Sequence, residues 1–465
     1  MSSTGAFQYW QRSMIHAGPG TVIRLPGLFS GLGSKNVLLV SDQGLKDVGI
    51  VDKVAALFDE QRGPGGVRLA SVFTDTAPDA ESGCIDECLK MARATGADGL
   101  LAVGGGSVLD SVKLVKLAMY SGVDSVAQLL KSPVKMMHWP EVQYMGVPHI
   151  SVPTTAGTGA EVTNGAVIYN KDLGIKHLIV SHYLESDIAV LDAHMTTGLP
   201  PMLTAATGMD ALTHAVEIMG HPNTGDFTLA HAETSAKIIL ENLPKVVADG
   251  SNLLARQAML NASAMACSAV VNDFGAVPVH NFAHAFGAAC HIHHGEANGV
   301  LLPIVMEEFA DFYVPVADRL KGVFGVEGEG RDAVLACAAA ISGLLEATGH
   351  PRDFARHVLN VFAFRVASTP ATTRSTRATA SWRRRRARSS RRSRTARTPG
   401  SRMCAPSSRS AASSRALRTA APSCPSTPVF MPSCWPRRAR NCADYIPTRR
   451  WTSSGLWSSG STPMY

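Results

Sequence analysis

The sequence predicts an α/β domain built on a Rossmann-like parallel sheet, followed by an all-α domain. Two observations support this fold class. Up to about residue 192, short β-rich apolar runs alternate with helical patterns, which is typical of βαβ units whose parallel sheet carries helices on both faces. After the Pro-Pro pair at 200–201 the β-rich runs stop, and residues 202–362 follow a helical period rich in alanine. We therefore assign residues 1–197 to the first domain and residues 198–364 to the second.

The strands of the first domain are expected where short β-branched and apolar runs end in polar residues, as buried parallel strands do. Its helices are expected where apolar residues recur every three or four positions. The resulting order is a strand at 35–42, helices at 50–61 and 82–95, a strand at 99–103, a helix at 108–120 and a strand within 144–152. The clearest helices of the second domain are predicted at 225–242, 252–270 and 331–347.

The charge of the chain is divided unevenly between its body and its tail. The whole chain carries a formal +7, but residues 365–465 contain 21 arginines, no lysine and a single acidic residue, Asp444, so this tail carries +20. The body, residues 1–364, carries the difference between +7 and +20, which is −13. An acidic body without a basic groove or an aromatic platform argues against nucleic-acid recognition. We expect no specific nucleic-acid partner.

The sequence carries no signal for export or for a membrane anchor. Its first ten residues lack a basic segment followed by an apolar run, and no stretch of about 18 uninterrupted apolar residues occurs. The cysteines of the body are odd in number and show no paired pattern; they are Cys84, Cys88, Cys267, Cys290 and Cys337. We therefore expect a cytoplasmic protein with reduced cysteines and no membrane association.

Four residues predict a site for one divalent metal ion: Asp210, His214, His280 and His294. Asp210 and His214 are four residues apart in a helical stretch, which puts both side chains on one face, one turn apart. Three imidazoles and one carboxylate suit Fe(II) or Zn(II) and leave an open position for a substrate oxygen. The alternative is that these histidines are exposed helix residues with no shared role.

Two loops that follow predicted strands contain small residues and hydroxyl groups. The first, at 104–107, reads Gly-Gly-Gly-Ser and precedes a helix, so backbone N–H groups and the helix dipole would favour a pyrophosphate there. The second, at 153–163, is rich in threonine. Because open α/β sheets bind ligands at the carboxyl ends of their strands, the two loops together predict a cofactor site. A triple glycine alone is equally well explained as a tight turn.

These motifs resemble those of the iron-containing (group III) alcohol dehydrogenases over roughly residues 10–362. The resemblance rests on the segments 104–110, 153–161, 208–217 (Gly-Met-Asp-Ala-Leu-Thr-His-Ala-Val-Glu), 280–287 and 294–303. It implies a dehydroquinate synthase-like fold. It also implies an oxidoreductase that transfers hydride between a primary or secondary alcohol and NAD(P), giving an aldehyde or ketone.

The resemblance implies a role for individual residues as well. Asp210, His214, His280 and His294 would bind the metal, Fe(II) with Zn(II) as the alternative, and His284 would lie near the nicotinamide and relay a proton. The implied cofactor contacts are Gly105, Gly106, Ser107, Thr154, Thr155, Thr158, Thr163 and Lys176.

The resemblance places Asp42 near the adenine ribose of the cofactor. A carboxylate there accepts a hydrogen bond from a 2′-OH and repels a 2′-phosphate, so we expect NAD to be preferred over NADP. The alternative for Asp42 is a helix N-cap.

The resemblance ends near residue 365. From there the tail consists mainly of Arg, Ser, Ala, Thr and Pro, with no hydrophobic period of 3.6 or 2. One interpretation is a disordered basic arm. A second is a frameshift in a GC-rich gene, which would produce such a bias without lysine. We favour the frameshift, in which case the helical domain lacks part of its packing.

Other functions of the same fold stay open at this point. They are hydroxyacid–oxoacid transhydrogenase, maleylacetate reductase and a dehydroquinate synthase-like lyase. The lyase would need a basic, phosphate-binding pocket, and lysine and arginine are scarce between 250 and 300. We expect a small-molecule substrate, either an alcohol or an aldehyde, and a homo-oligomeric assembly.

Overall fold

The computed structural model describes residues 7–60, 66–132, 134–137, 142–170, 173–273, 277–290 and 292–355. All of these residues belong to one compact unit, Met1–Thr373. Both interpretations of the tail concern residues outside the described ranges.

The strands in the described part of the chain form two sheets. They are β1 (Met14–Ala17), β2 (Asn36–Val40), β3 (Arg68–Phe73), β4 (Gly99–Gly104), β5 (Val134–Met137), β6 (His149–Pro153), β7 (Gly165–Asn170), β8 (Ile175–Ser181) and β9 (Ile188–Leu191). Six of them form a sheet in the order β1-β9-β6-β4-β2-β3, and each pair in it is parallel. The predicted parallel sheet is therefore confirmed.

The helices divide between the two parts of the fold. Those of the α/β part are α1 (Leu25–Gly31), α2 (Gln43–Asp47), α3 (Ile50–Glu60), α4 (Ser82–Ala94) and α5 (Gly106–Ser121). Those that follow are α6 (Pro201–Met219), α7 (Asp226–Ala248), α8 (Leu253–Val271), α9 (Pro278–Cys290), α10 (His294–Glu308), α11 (Ala310–Tyr313), α12 (Ala317–Phe324) and α13 (Gly330–Ala347). No strand interrupts α6–α13 within the described residues, which confirms the predicted helical second half.

The central strands of the six-stranded sheet are buried on both faces. Because successive side chains of a strand point to opposite sides of the sheet, each strand contributes to two cores. Val37 and Leu39 of β2 pack into one core together with Phe58 of α3. Leu38 and Val40 pack into the other core, together with side chains of α4 and α5. Continuous apolar runs such as 99–103 are therefore explained by helices on both faces of a parallel sheet.

A second sheet, in the order β5-β8-β7, was not predicted. Strand β5 pairs parallel to β8, and β7 pairs antiparallel to it. The side chains of its strands are only partly buried, and β7 alternates between buried and partly exposed residues. Such short, half-exposed strands give weaker patterns than the continuous apolar runs of the main sheet.

Helix α6 lies at the centre of the helical half. It contacts α7, α8 and α10, and it is buried along almost its whole length from Thr204 onwards. A helix that is covered on all sides carries its polar side chains into the interior. This is how Asp210 and His214 come to lie in a buried environment. No described helix is both long enough and apolar enough to span a lipid bilayer.

Candidate active site

Three helices bring the predicted metal ligands together. Helix α6 contributes Asp210 and His214, the first turn of α9 contributes His280, and His294 is the first residue of α10. Oδ1 of Asp210 lies 3.5 Å from Nε2 of His280 and 3.6 Å from Nε2 of His294. One ligand atom from each of these three residues lies within 4.8 Å of the other two.

His214 is close to this group but is not part of the mutually close set of three. Its ring stacks on that of His280, with ring centroids 4.2 Å apart. Its Nδ1 atom lies 3.4 Å from Sγ of Cys267 on α8. Because Nδ1 is engaged on that side, Nε2 is the nitrogen left for a ligand.

Three polar residues around the cluster were not singled out from the sequence. Glu217 hydrogen-bonds His280 Nδ1, Cys267 approaches His214, and Asn298 Nδ2 donates to Asp210 Oδ1 at 2.6 Å. Helical spacing offered a signal for two of them. Glu217 lies three residues after His214 and Asn298 four residues after His294, so each shares a face with a predicted ligand.

Burial keeps two of the imidazoles neutral. It is the largest cause that lowers the pKa of His214 to about 3, and the neighbouring His280 lowers it further. Burial also lowers the pKa of His294 to about 3, although Asp210 acts in the opposite direction. A neutral imidazole is the form that binds a metal ion.

The electrostatics around Asp210 and His280 favour a cation. Burial alone would lower the pKa of His280, but the carboxylates of Glu217 and Asp210 outweigh it and raise that pKa. Burial would raise the pKa of Asp210, but His294 and then His214 outweigh it, so the pKa lies below its ordinary value. The cluster therefore stabilises positive charge next to a carboxylate.

The donor set fits a divalent metal ion. His280 Nε2 is buried and has no hydrogen-bond partner among the described residues, although a buried ring nitrogen is ordinarily paired. It faces the Asp210 carboxylate, and the same carboxylate faces His294. Nitrogen and carboxylate oxygen ligands of this kind suit Fe(II) or Zn(II).

His284 lies one turn after His280 and beside the same cluster. Its ring stacks on that of His294 with centroids 4.6 Å apart, and its buried Nδ1 has no hydrogen-bond partner among the described residues. Burial, followed by the neighbouring His294 and His280, lowers the pKa of His284 to about 3. Lys176 also lowers this pKa, so the lysine predicted to contact the cofactor lies near the metal cluster.

The glycine loop and the threonine-rich loop contact each other at the carboxyl ends of β4 and β6. The Thr154 N–H donates to the Gly104 carbonyl at 3.0 Å. A Cβ atom at Gly106 would lie only 2.8 Å from Cγ2 of Thr158, and one at Gly105 would lie 3.4 Å from Cγ2 of Thr155. The close approach explains why small residues stand here. In the described part of the chain, no side chain caps the start of helix α5, so its first N–H groups can bind an anion.

Two predicted cofactor contacts are joined by a residue that was not predicted. The Asp79 N–H donates to Ser107 Oγ at 3.0 Å, and the Asp79 carboxylate binds Lys176 Nζ at 2.8 Å. Asp79 and Ala80 both have left-handed backbones, with φ of 61° and 51°. Backbone strain of this kind is concentrated at functional sites.

Two other predicted contacts have partners within the protein. The Thr163 hydroxyl binds the buried Nζ of Lys113 at 2.9 Å. Asp42 is the N-cap of α2, and its Oδ1 accepts from the Leu45 N–H at 3.0 Å. Asp42 is therefore a helix N-cap, and its contact with a ribose stays a prediction.

Comparison with known proteins gives a consistent match along most of the chain. A family model described as iron-containing alcohol dehydrogenase matches residues 13–193, and the C-terminal model of the Fe-containing alcohol dehydrogenase family matches residues 204–368. The chain is 37% identical over 292 residues to long-chain-alcohol dehydrogenase 1 of Geobacillus thermodenitrificans (strain NG80-2). That alignment covers 63% of this chain and 70% of the relative.

Two solved structures are similar over a larger share of the chain. A 1,3-propanediol oxidoreductase superposes with a TM-score of 0.67 at 31% identity, covering 76% of this chain and 90% of that one. The sulfoacetaldehyde reductase from Bifidobacterium kashiwanohense, solved in complex with NAD+, superposes with a TM-score of 0.65 at 26% identity, covering 79% and 93%.

Proposed function

The chain belongs to the iron-containing alcohol dehydrogenase family, and on this premise we propose that it transfers hydride between a primary or secondary alcohol and NAD. The product is an aldehyde or ketone. Family membership makes the chain an alcohol oxidoreductase. The observation that carries the detailed proposal is the cluster of Asp210, His280 and His294, with ligand atoms within 4.8 Å of one another.

Asp210, His214, His280 and His294 would hold the metal ion, Fe(II) with Zn(II) as the alternative. A bound cation makes an alcohol hydroxyl more acidic, and the nicotinamide of NAD accepts the hydride. The protein would contribute position and charge. Asp210 supplies a negative charge in a buried setting, and neutral His214 and His294 supply lone pairs without competing protons.

His284 is our proposal for the proton relay. An imidazole can accept a proton at one nitrogen and release another from the second nitrogen. Because the pKa of His284 is lowered to about 3, first by burial, the residue would pass a proton onward rather than retain it.

The cofactor would lie across the two loops. Its pyrophosphate would accept hydrogen bonds from backbone groups at the start of α5, as the uncapped helix terminus supports. NAD is supported by the reductase solved with NAD+. The proposed contacts are Gly105, Gly106, Ser107, Thr154, Thr155, Thr158, Thr163 and Lys176, with Asp42 disfavouring NADP. Residues 1–197 would thus bind the dinucleotide, and residues 198–364 would carry the metal ligands.

The similar proteins are named for different substrates, among them long-chain alcohols, 1,3-propanediol and sulfoacetaldehyde. We therefore keep the substrate at the level of an alcohol or aldehyde. A panel of alcohols, aldehydes and oxo acids, assayed with NAD and NADP on metal-loaded protein, would define it. Activity only on oxo acids would contradict the alcohol assignment.

The metal assignment is tested by replacing one ligand. His280→Ala should lower the metal bound per chain about 10-fold or more, because the remaining ligands hold the ion loosely. Metal content measured by elemental analysis is the readout. His194→Ala is the control, since His194 pairs with Asp192 outside the cluster. Full metal content in the His280 variant would refute the assignment.

We also propose a homo-oligomer in a reducing cytoplasm. Support for an assembly comes from edge strand β1, where Met14 is 60% and Ile15 44% exposed. Support for a reducing compartment comes from the cysteines of the described residues, which are all free. Light scattering on the purified chain would test the assembly, and a monomer would contradict it.

A further inference from the structure

Glu217 occupies a position between the metal cluster and the start of helix α9. It is only 1% exposed, and it follows Asp210 by seven residues and His214 by three on α6, so all three share one helix face. A buried carboxylate is costly unless it is paired and hydrogen-bonded. Its partners therefore indicate what keeps it in place.

One oxygen of Glu217 caps the first turn of α9. Oε1 accepts from the Val279 N–H at 2.7 Å and from the His280 N–H at 3.3 Å. These N–H groups have no partner within their own helix, and a negative charge is favourable at a helix N-terminus. This contact fixes where α9 begins relative to α6.

The other oxygen of Glu217 determines the tautomer of His280. Oε2 hydrogen-bonds Nδ1 of the imidazole, and a carboxylate can only accept, so the proton is on Nδ1. In the neutral imidazole, the form that binds a metal ion, the lone pair of His280 is then on Nε2. That atom is buried without a hydrogen-bond partner among the described residues and lies 3.5 Å from Asp210 Oδ1.

We propose that Glu217 is a positioning residue of the metal centre, which holds His280 with Nε2 presented to the ion. The inference rests on the proposed function, because it takes His280 to be a ligand. Both oxygens act on the same residue, one on its backbone and one on its ring. Removing the carboxylate should therefore loosen His280 without removing a ligand.

The test compares an amide with a carboxylate at this position. Glu217→Gln can keep the cap, because its amide oxygen still accepts from the two N–H groups. Its amide nitrogen cannot accept from Nδ1–H, so the favoured tautomer of His280 is lost. We expect the dissociation constant for Zn(II), measured by competition with a chelator, to rise about 10- to 100-fold. The visible absorption bands of the Co(II)-loaded protein should also shift, which a merely structural role would not cause.

Asp273→Asn is the matched control. Asp273 accepts from Nδ1 of His221 at 3.0 Å, so the same carboxylate-to-amide change is made against an imidazole that is not a proposed ligand. Its Zn(II) dissociation constant should match that of the wild type. Glu217→Asp retains the charge but retracts it, and should give an intermediate constant; it replaces the Gln variant if that variant unfolds.

The outcomes separate this inference from the proposed function. If His280→Ala loses the metal and Glu217→Gln binds Zn(II) as the wild type does, the metal site stands and the role of Glu217 is wrong. If Glu217→Gln and Asp273→Asn weaken binding equally, the effect is general destabilisation and the role is again wrong. If His280→Ala keeps its metal, both proposals fall.

Discussion

Asp42 caps helix α2, and we propose that the same carboxylate also disfavours NADP. The cap is a hydrogen bond of 3.0 Å from the Leu45 N–H. Asp42→Ser should retain an acceptor for this N–H but remove the negative charge. We expect the kcat/KM ratio of NADP to NAD to rise on the order of 10-fold, because a like-charge clash with the 2′-phosphate is removed.

Asp42→Ala separates the two roles of that carboxylate. It should change cofactor preference as the Ser variant does, but lose about 1 kcal/mol of stability because the cap is gone. A wild-type protein that already prefers NADP, or a Ser variant with unchanged preference, would show that Asp42 is only a cap.

Glu161 in the threonine-rich loop predicts a pH-dependent stability. Burial raises its pKa to about 7 from an ordinary 4.5, although its own backbone N–H and Lys113 act against the shift. The folded state thus binds the proton more tightly than the unfolded state. Its contribution is fully present below about pH 4.5 and is lost as the pH rises through about 7.

Glu161→Gln removes this titration. Between about pH 5 and about pH 8, the free energy of unfolding of the wild type should fall by about 1–3 kcal/mol more than that of the variant. Urea unfolding of both proteins at the two pH values measures the difference. An identical pH dependence in both would mean that Glu161 is charged in the folded protein at neutral pH.

The sequence predicted the proposed metal ligands but not all of the residues that hydrogen-bond to the predicted site residues. The Asp210/His214 pair and the His280/His284 pair, each at a helical spacing of four, were recognisable in the sequence. Glu217 was not, since a carboxylate on a helix is ordinarily a solvated residue. Asp79 binds Lys176, 97 positions away, and no local pattern relates two such distant residues.

At the scale of elements, the threonine-rich loop packs closely against the helical half of the chain. Gly159 has a left-handed backbone with φ of 52°, and a Cβ atom there would lie 2.3 Å from Cβ of Cys267 on α8. Gly157 approaches the backbone of Thr207 on α6 in the same way. These glycines set the distance between the proposed cofactor loop and the helices that carry the metal ligands.

Gly159→Ala should therefore be more destabilising than the same change at Gly122. Gly122 has a similar φ of 65°, but no atom of the described residues lies within 4 Å of a Cβ built there. The backbone cost of about 1–2 kcal/mol applies to both variants, and overpacking adds about 1–3 kcal/mol at Gly159 alone. Denaturant unfolding gives both values, and equal losses would refute the close approach as the cause.

The sequence predicted the strands and helices correctly where the apolar pattern was continuous or strongly periodic. Strands β2 and β4 and helices α3, α4 and α5 begin and end within about two residues of their predicted limits, since continuous apolar runs and helical periods leave few alternatives. The start of β6 at His149 lies later than the apolar run at 144–152 indicated. Strands β5, β7 and β8 depend on pairing with one another. Which strand pairs with which cannot be predicted from a local sequence pattern.

At the scale of the whole molecule, charge separates the body from the tail. Residues 1–364 carry −13 and residues 365–465 carry +20. We expect the full chain to be retained on a polyanion column, with retention falling steeply as salt rises. A chain ending at residue 364 should not be retained, while its metal content per folded molecule should equal that of the full chain. Retention of the shortened chain would contradict this division of charge.

The origin of the tail can be tested in the gene. The match to the family ends at residue 368, close to where the arginine bias begins, and this coincidence supports a frameshift. A neighbouring reading frame from about codon 365 should then encode Leu- and Ala-rich amphipathic helices.

A chain rebuilt with that frame should unfold at a higher temperature, because added helices would cover apolar surface of the helical half. Phe309 and Phe312, 53% and 41% exposed, belong to that surface. Thermal unfolding of the rebuilt and original chains, each loaded with metal, makes the comparison. If neither neighbouring frame encodes an amphipathic helix, the frameshift is wrong and the tail is a basic arm of the protein itself.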